Sequence, residues 1–174
     1  MGHSIETATS GRARCRGCGE SIAKGELRLG ERLPNPYGEG EMTLWFHLSC
    51  GAYKRPEVLL ETLEATDSEI EHADQLRDIA KSGLEHRRLP RADGAGRSPT
   101  GRARCRQCRE FIEKDTWRIG LVYYDEGRLN PSGYIHLSCA EEYLGTTDIV
   151  ARLRHFAPTL TDDDVAEIRA ALAG

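Results

Sequence analysis

Ten residues, GRARCRGCGE at positions 11–20, return ninety positions later as GRARCRQCRE at 101–110. Each copy opens a set of four side chains in the same order and at nearly the same spacing. The first is Cys15, Cys18, His47 and Cys50, a C-x2-C-x28-H-x2-C pattern; the second is Cys105, Cys108, His136 and Cys139, with a gap of 27 in place of 28. All six cysteines of the chain fall in these sets, three to a copy. An odd number cannot be closed by disulfides within a copy, so a disulfide framework leaves one thiol over in each. A metal site with histidine as the fourth ligand resolves the count. Zn²⁺ takes thiolate and imidazole ligands at the corners of a tetrahedron. A C-x2-C turn supplies two of them from one tight loop, an H-x2-C pair supplies two more, and a β-hairpin between the clips brings them together. Four protein ligands leave no open position, so both sites are structural rather than hydrolytic. The expectation is two structural zinc ions per chain. His3, His72, His86 and His155 recur at no matching places and read as ordinary solvated or half-buried histidines.

The duplication extends beyond the ligands. LRLG at 27–30 answers WRIG at 117–120, and HLSC ends each hairpin. The fold class this predicts is small α+β: two repeats, each a zinc-clamped β-hairpin or small antiparallel sheet followed by helices. Strands are expected over 26–33 and 41–47, then over 116–124 and 132–136. The loops between them, PNPYGEG and DEGRLNP, are rich in turn formers. Val58, Leu59 and Leu63, then Ile70, Leu76 and Ile79, recur at helical spacing, giving two helices per half. TDSE at 66–69 and TDDD at 161–164 both read as N-caps with acids in the first turn. Halves of under ninety residues have thin cores and commonly need a metal. The domain reading is a disordered N-terminus at 1–10, a first finger with its helices at 11–85, a flexible linker at 86–100 and a second finger with its helices at 101–174.

Charge is segregated beneath a net value of −4. Residues 11–32 hold six basic and three acidic side chains, net +3; residues 57–78 hold eight acidic and one basic, net −7; residues 86–106 hold seven arginines and one aspartate, net +6. Arg12, Arg14 and Arg16, and again Arg102, Arg104 and Arg106, stand at alternate positions beside the first metal clip of each copy. Alternation puts them on one face of an extended segment, and arginine is the residue suited to bidentate phosphate contact. Trp45, Phe46 and Trp117 flank ligands or lie on strands and read as packing around the zinc. Tyr123 and Tyr124 are adjacent on a strand, so one of them is exposed.

These motifs resemble the poly(ADP-ribose) polymerase-type zinc finger, also found in DNA ligase III and in plant 3′-phosphoesterases. The likeness rests on GRARCRGC, LRLG and WFHLSC in the first copy and GRARCRQC, WRIG and YIHLSC in the second, and it covers residues 11–55 and 101–143. The second copy departs from it with a hairpin one residue shorter and with Tyr134 where the first has Trp45. The resemblance implies recognition of DNA nicks or ends by structure. Carried over by position, Arg12, Arg28, Arg102 and Arg118 hold the sugar–phosphate backbone, with Arg14 and Arg104 beside them. Tyr37 and Met42, then Tyr124 and Leu129, are the apolar groups that stack on bases exposed at a break.

The expected function is therefore a non-catalytic, zinc-dependent DNA-break binder. The alternative is a zinc-scaffolded adaptor that recruits repair enzymes through its acidic helices. An enzyme is not expected: the sequence offers no nucleophile–base–acid set and no unsaturated metal site. GEG and DGAG are turns, since neither opens a helix after a strand as a phosphate loop does. No window approaches 18 apolar residues, and the N-terminus carries no apolar signal-peptide core, so neither a membrane nor a small-molecule substrate is expected as partner. The expected setting is intracellular: nucleoid-associated in a bacterium, nuclear in a eukaryote. The length leaves no room for an additional catalytic domain, which points to a free-standing sensor or recruiter.

Overall fold

The computed structural model describes residues 2–174. The chain forms two compact units, Met1–Glu85 with Asp125–Leu129, and His86–Tyr124 with Asn130–Gly174.

In the first unit three strands, β1 (Ser4–Thr7), β2 (Leu27–Pro34) and β3 (Glu41–His47), form an antiparallel sheet in the order β1-β2-β3. Alternation decides its faces. Leu29 and Glu31 on β2 and Leu44 and Phe46 on β3 are buried, whereas Thr43 and Trp45 are only partly so; Arg28 and Gly30 on the other face of β2 are buried as well, against Trp45. Helices α1 (Leu48–Lys54), α2 (Pro56–Ala65) and α3 (Ala73–Glu85) come next in the chain. Val58, Leu59 and Leu63 of α2 and Leu76 of α3 are buried, as the helical spacing predicts; Ile79 is only half-buried, and Ile70 is buried but precedes α3. Helix α1 lies so close to β2 that a Cβ at Gly51 would stand 2.6 Å from the Leu29 side chain. Pro56 sits at the start of α2, where a missing N–H costs nothing. Glu31 is a buried acid on the core face, and Arg55 meets it in a bidentate pair at 2.8 and 2.9 Å. That geometry satisfies a carboxylate otherwise costly to desolvate.

The second unit repeats the plan. Strands β4 (Ala92–Arg97), β5 (Trp117–Asp125) and β6 (Arg128–His136) form a sheet in the order β4-β5-β6. Helices α4 (Ala140–Leu144), α5 (Val150–His155) and α6 (Asp162–Ala173) complete it. Its core gathers Ile119, Leu121 and Ile135 from the sheet with Leu144, Leu153 and Ile168 from the helices.

Several sequence expectations are corrected here. Residues 86–100 are not a linker: Leu89–Arg91 form a 3-10 turn and Ala92–Arg97 pair with β5, with Ala92 and Ala95 buried. Small residues in ADGAGR hide the strand, because it packs close against its neighbours: a Cβ at Gly94 would meet the Phe156 backbone at 2.8 Å. The N-terminal ten residues likewise contain β1, paired with β2 from Ser4↔Gly30 to Thr7↔Leu27. Each half carries three helices rather than two. TDSE does not cap α3, which starts at Ala73; Thr66 instead ends α2, its N–H donating to the Thr62 carbonyl. TDDD does cap α6 through a capping box of Thr161 and Asp164. Thr161→Ala should therefore lower the stability of the second unit by about 1 kcal/mol, read as a lower denaturant midpoint at unchanged zinc content.

The second hairpin also differs from expectation. DEGRLNP is not a loop, since the strands run through Asp125 and resume at Arg128. Glu126 and Gly127 have φ of 48° and 82°, the left-handed pair that a two-residue hairpin turn requires. Pro131 is tolerated inside β6 because β6 is an edge strand.

Candidate metal centres and nucleic-acid interface

The knuckle at each C-x2-C folds on itself before meeting the sheet. The Cys15 N–H donates to the Glu20 carbonyl at 2.8 Å, and the Arg16 N–H donates to the Trp45 carbonyl of β3 at 2.9 Å. In the second unit Cys105 N–H reaches Glu110 O at 2.8 Å and Arg106 N–H reaches Tyr134 O at 2.8 Å. The clip from the end of the hairpin arrives where β3 and β6 give way to helical turns, at His47 and His136. Ligand atoms of Cys15, Cys18, His47 and Cys50, and of Cys105, Cys108, His136 and Cys139, lie within 4.8 Å of one another in each cluster. His47 Nδ1 is 3.4 Å from Cys18 Sγ and 3.8 Å from Cys50 Sγ; His136 Nδ1 is 3.3 Å from Cys108 Sγ and 3.8 Å from Cys139 Sγ. A tetrahedron with Zn–S of about 2.3 Å and Zn–N of about 2.0–2.1 Å has edges of this size.

The surroundings fit the same ion. Each histidine turns Nδ1 inward, and its Nε2 lies against a backbone carbonyl, Ser21 O at 3.2 Å and Phe111 O at 3.1 Å. A zinc-bound imidazole is commonly oriented by such a carbonyl. Backbone N–H groups of Gly17 and His47 donate to Cys15 Sγ, and those of Gln107 and His136 to Cys105 Sγ, all at 3.3 Å. The thiols divide accordingly. The Cys50 thiol donating to it holds Cys15 at about 5, burial opposing and the N–H groups of Cys18, His47 and Gly17 assisting. Burial opposes ionisation of Cys105 too, but the N–H groups of Cys108, His136 and Gln107 outweigh it and hold that thiol at about 6. Donation to Cys15, and then burial, push Cys50 strongly up, and burial beside Cys105 pushes Cys139 up to about 12. One thiolate per cluster, that of Cys15 or Cys105, is ready for a cation, and zinc binding displaces protons from Cys50 and Cys139.

The two closed clusters define the chain as a tandem Cys3His structural zinc-finger protein. Residues 6–87 match the family described as the poly(ADP-ribose) polymerase and DNA-ligase Zn-finger region. This span thus matches the poly(ADP-ribose) polymerase-type zinc fingers, and the second unit repeats the ligand set and sheet of the first. Among curated relatives, poly [ADP-ribose] polymerase 1 of Gallus gallus is 33% identical over 154 residues, covering 77% of this chain and 15% of that protein. Poly [ADP-ribose] polymerase of Sarcophaga peregrina is 29% identical over 192 residues, covering 97% of this chain and 19% of that protein. The chain therefore spans less than a fifth of the length of these relatives.

Beside each zinc cluster the outer sheet face carries an arginine laid on an aromatic ring. The Arg28 guanidinium lies 3.6 Å from the centre of the Trp45 ring, and Arg118 lies 3.6 Å from that of Tyr134. The glycine of LRLG makes room for the first of those rings, whereas that of WRIG only touches the second. A Cβ at Gly30 would stand 2.7 Å from Trp45, and one at Gly120 would stand 3.9 Å from Tyr134. Trp45 does not pack on zinc as its place in the sequence suggests; its ring lies between Gly30 and Arg28, while Phe46 is the buried neighbour of the knuckle. Trp117 packs against the second core beneath the Arg97 guanidinium, 4.3 Å away.

The other sequence-predicted arginines divide into two groups. Arg12 and Arg102 are exposed, and the backbone N–H of each donates to a hydroxyl, Ser10 and Thr100, at 3.3 Å. Arg14 and Arg104 fold back onto their own knuckles, donating to Gly19 O at 3.2 Å and Arg109 O at 3.1 Å. Arg104 also covers Phe111, a half-exposed ring 4.0 Å away for which the first unit has Ser21. Of the stacking candidates, Tyr37 stands 77% exposed on the first hairpin loop, and Met42 is half-buried. Tyr124 and Leu129 are half-buried and stand on strands rather than on a loop; the exposed member of the tyrosine pair is Tyr123. No single segment contains an arginine–ring pair, which is why sequence reasoning misses both. Their only sequence signal is the glycine two places after the arginine in each copy.

Proposed function

We propose that this chain is a zinc-dependent DNA-binding protein that recognises strand breaks, nicks or ends, through its two fingers without catalysing a reaction itself. The observation that carries this reading is the arginine–aromatic pair repeated on both sheets, next to a knuckle edged with further arginines. A ring beneath a guanidinium holds it in place without using up its N–H donors, which stay free for phosphate oxygens. The match of residues 6–87 to the poly(ADP-ribose) polymerase-type fingers supports it. Arg12, Arg28, Arg102 and Arg118 contact the backbone, and apolar side chains of the hairpins stack on bases laid bare at the break. The zinc ions fix the knuckles that carry the arginines. No helix among the described residues is long and apolar enough to cross a membrane.

The test is binding to nicked, gapped, blunt-ended and intact duplexes of one sequence across a salt series. Break preference with steep salt dependence is expected. Equal, salt-insensitive binding to all four would favour a protein-docking role. Within that series, Arg102→Ala and Arg118→Ala should each flatten the slope of log K against log salt by about one unit, zinc content unchanged. An unchanged slope in both would reduce the patch to a solvated face.

A further inference from the structure

The two arginine–ring pairs are alike in geometry and unlike in what faces them across the sheet. On β1, Glu6 is the register partner of Arg28; on β4, the register partner of Arg118 is Gly96. The Glu6 carboxylate lies 3.7 Å from Arg28 Nη2, and Ser4 Oγ donates to its other oxygen at 3.1 Å. Arg28 is left 7% exposed, with Trp45 against one face of its guanidinium. Its Nε is buried without a hydrogen-bond partner among the described residues. Arg118 has no acid opposite it in the register and remains partly exposed. Thus the same arginine stands opposite a negative charge in one sheet and opposite a glycine in the other.

We propose that Glu6 is a built-in charge attenuator of the first finger: it occupies the anion position at Arg28 and limits how strongly that finger holds a phosphate. This rests on the DNA-binding reading above and adds to it a residue that sets the affinity of one finger. The physics is direct. A phosphate oxygen reaching Arg28 must approach a carboxylate already within ion-pair range of the same guanidinium. It then either displaces that carboxylate or sits beside it, and like charges a few ångströms apart repel. The orphaned Nε shows that Glu6 does not exhaust the donors of Arg28. Glu6 is itself half-exposed, its side chain 45% accessible, so it can swing away. The residue therefore tunes the first finger rather than blocking it.

The register supplies a reciprocal pair of variants. Glu6→Gln keeps shape and removes charge. Gly96→Glu installs the acid opposite Arg118, at a position where an added Cβ meets nothing within 4 Å. In the full-length chain, with zinc content and thermal unfolding checked for each variant, Kd for a nicked duplex is measured at low and moderate salt. Glu6→Gln should tighten binding by about five- to tenfold at low salt and steepen the salt slope by up to about one unit. Gly96→Glu should weaken binding by a similar factor. The gain from Glu6→Gln should vanish in an Arg28→Ala background, since the coupling runs through that guanidinium. A Glu6→Gln chain that binds as the parent does, or gains equally without Arg28, overturns the proposal while leaving the DNA reading intact. A parent chain with no measurable affinity for nicked or intact duplex overturns both.

Discussion

Cys50→Ser should leave the chain with one zinc ion instead of two and unfold the first unit, while the second unit keeps its metal and its fold. Cys139→Ser should do the reverse. The reason is how little else each unit has. The core of the first unit is one face of a three-stranded sheet against three short helices, and its largest fully buried side chains are Phe46, Ile22, Leu29, Leu44 and Leu59. Units of this size are marginal, whereas zinc at a structural site contributes roughly 10 kcal/mol or more of folding free energy. Cys50 is 1% exposed at the start of α1, so its loss both opens the tetrahedron and frees the junction of hairpin and helix. Elemental analysis and hydrogen exchange resolved by unit measure the outcome; a one-zinc variant whose first unit stays protected would contradict it. Acid should act in the same direction. Cys15 and Cys105 are held below their unfolded values, so their ionisation contributes stability that is fully present above about pH 9. It is lost as pH falls through about 5 for Cys15 and about 6 for Cys105. Zinc occupancy should fall with pH as well, since protons compete with the metal for every thiolate and imidazole of each cluster.

The metal clusters are legible in the sequence because a closed tetrahedron leaves a count: four ligands, two clips, written twice. The sheet strands that carry the clips are legible for a related reason, their alternation being tied to the clips at both ends. The features that escape a sequence reading lie where small residues do structural work by what they lack. ADGAGR reads as a linker because it has few side chains to show a period, yet β4 forms from it since close packing demands bare backbone at Gly94. Gly30 seats the ring on which Arg28 lies, because a Cβ there would stand 2.7 Å from Trp45. The second hairpin turn is hidden by Asn130 and Pro131, which look like turn residues but stand on an edge strand. TDSE and TDDD are near-identical strings, and only the second caps a helix. In the first, Ser68 N–H donates back to Thr66 Oγ1 in a local turn, and α3 begins further on. The downstream residues, rather than the four letters themselves, decide between cap and turn.

The largest functional effect is expected at the hairpin tips. In an intact duplex every internal base stacks on its neighbours, so an apolar side chain on a loop finds no partner there. At a nick or an end the terminal base pair exposes a flat apolar face, and stacking on it is worth about 1–3 kcal/mol per base. That corresponds to a preference of roughly tenfold or more for broken over intact DNA. Arginines meet the same phosphate charge on both substrates and supply little of that difference. Tyr37 is the side chain best placed for this, far exposed on the longer of the two hairpin connections, with Met42 half-buried at the start of β3. Tyr124 and Leu129 flank a two-residue turn and are half-buried on their strands, which leaves them less surface to offer a base. Replacing Tyr37 and Met42 by serine and glutamine should therefore erase most of the preference for nicked DNA while weak binding to intact duplex persists with its salt slope unchanged. The same treatment of Tyr124 and Leu129 should cost less. If the Tyr37 and Met42 double variant still chose nicked over intact duplex as the parent does, break recognition would have to come from the arginines gripping a bend that only interrupted DNA can adopt. The loss would then appear instead in Arg28→Ala and Arg118→Ala.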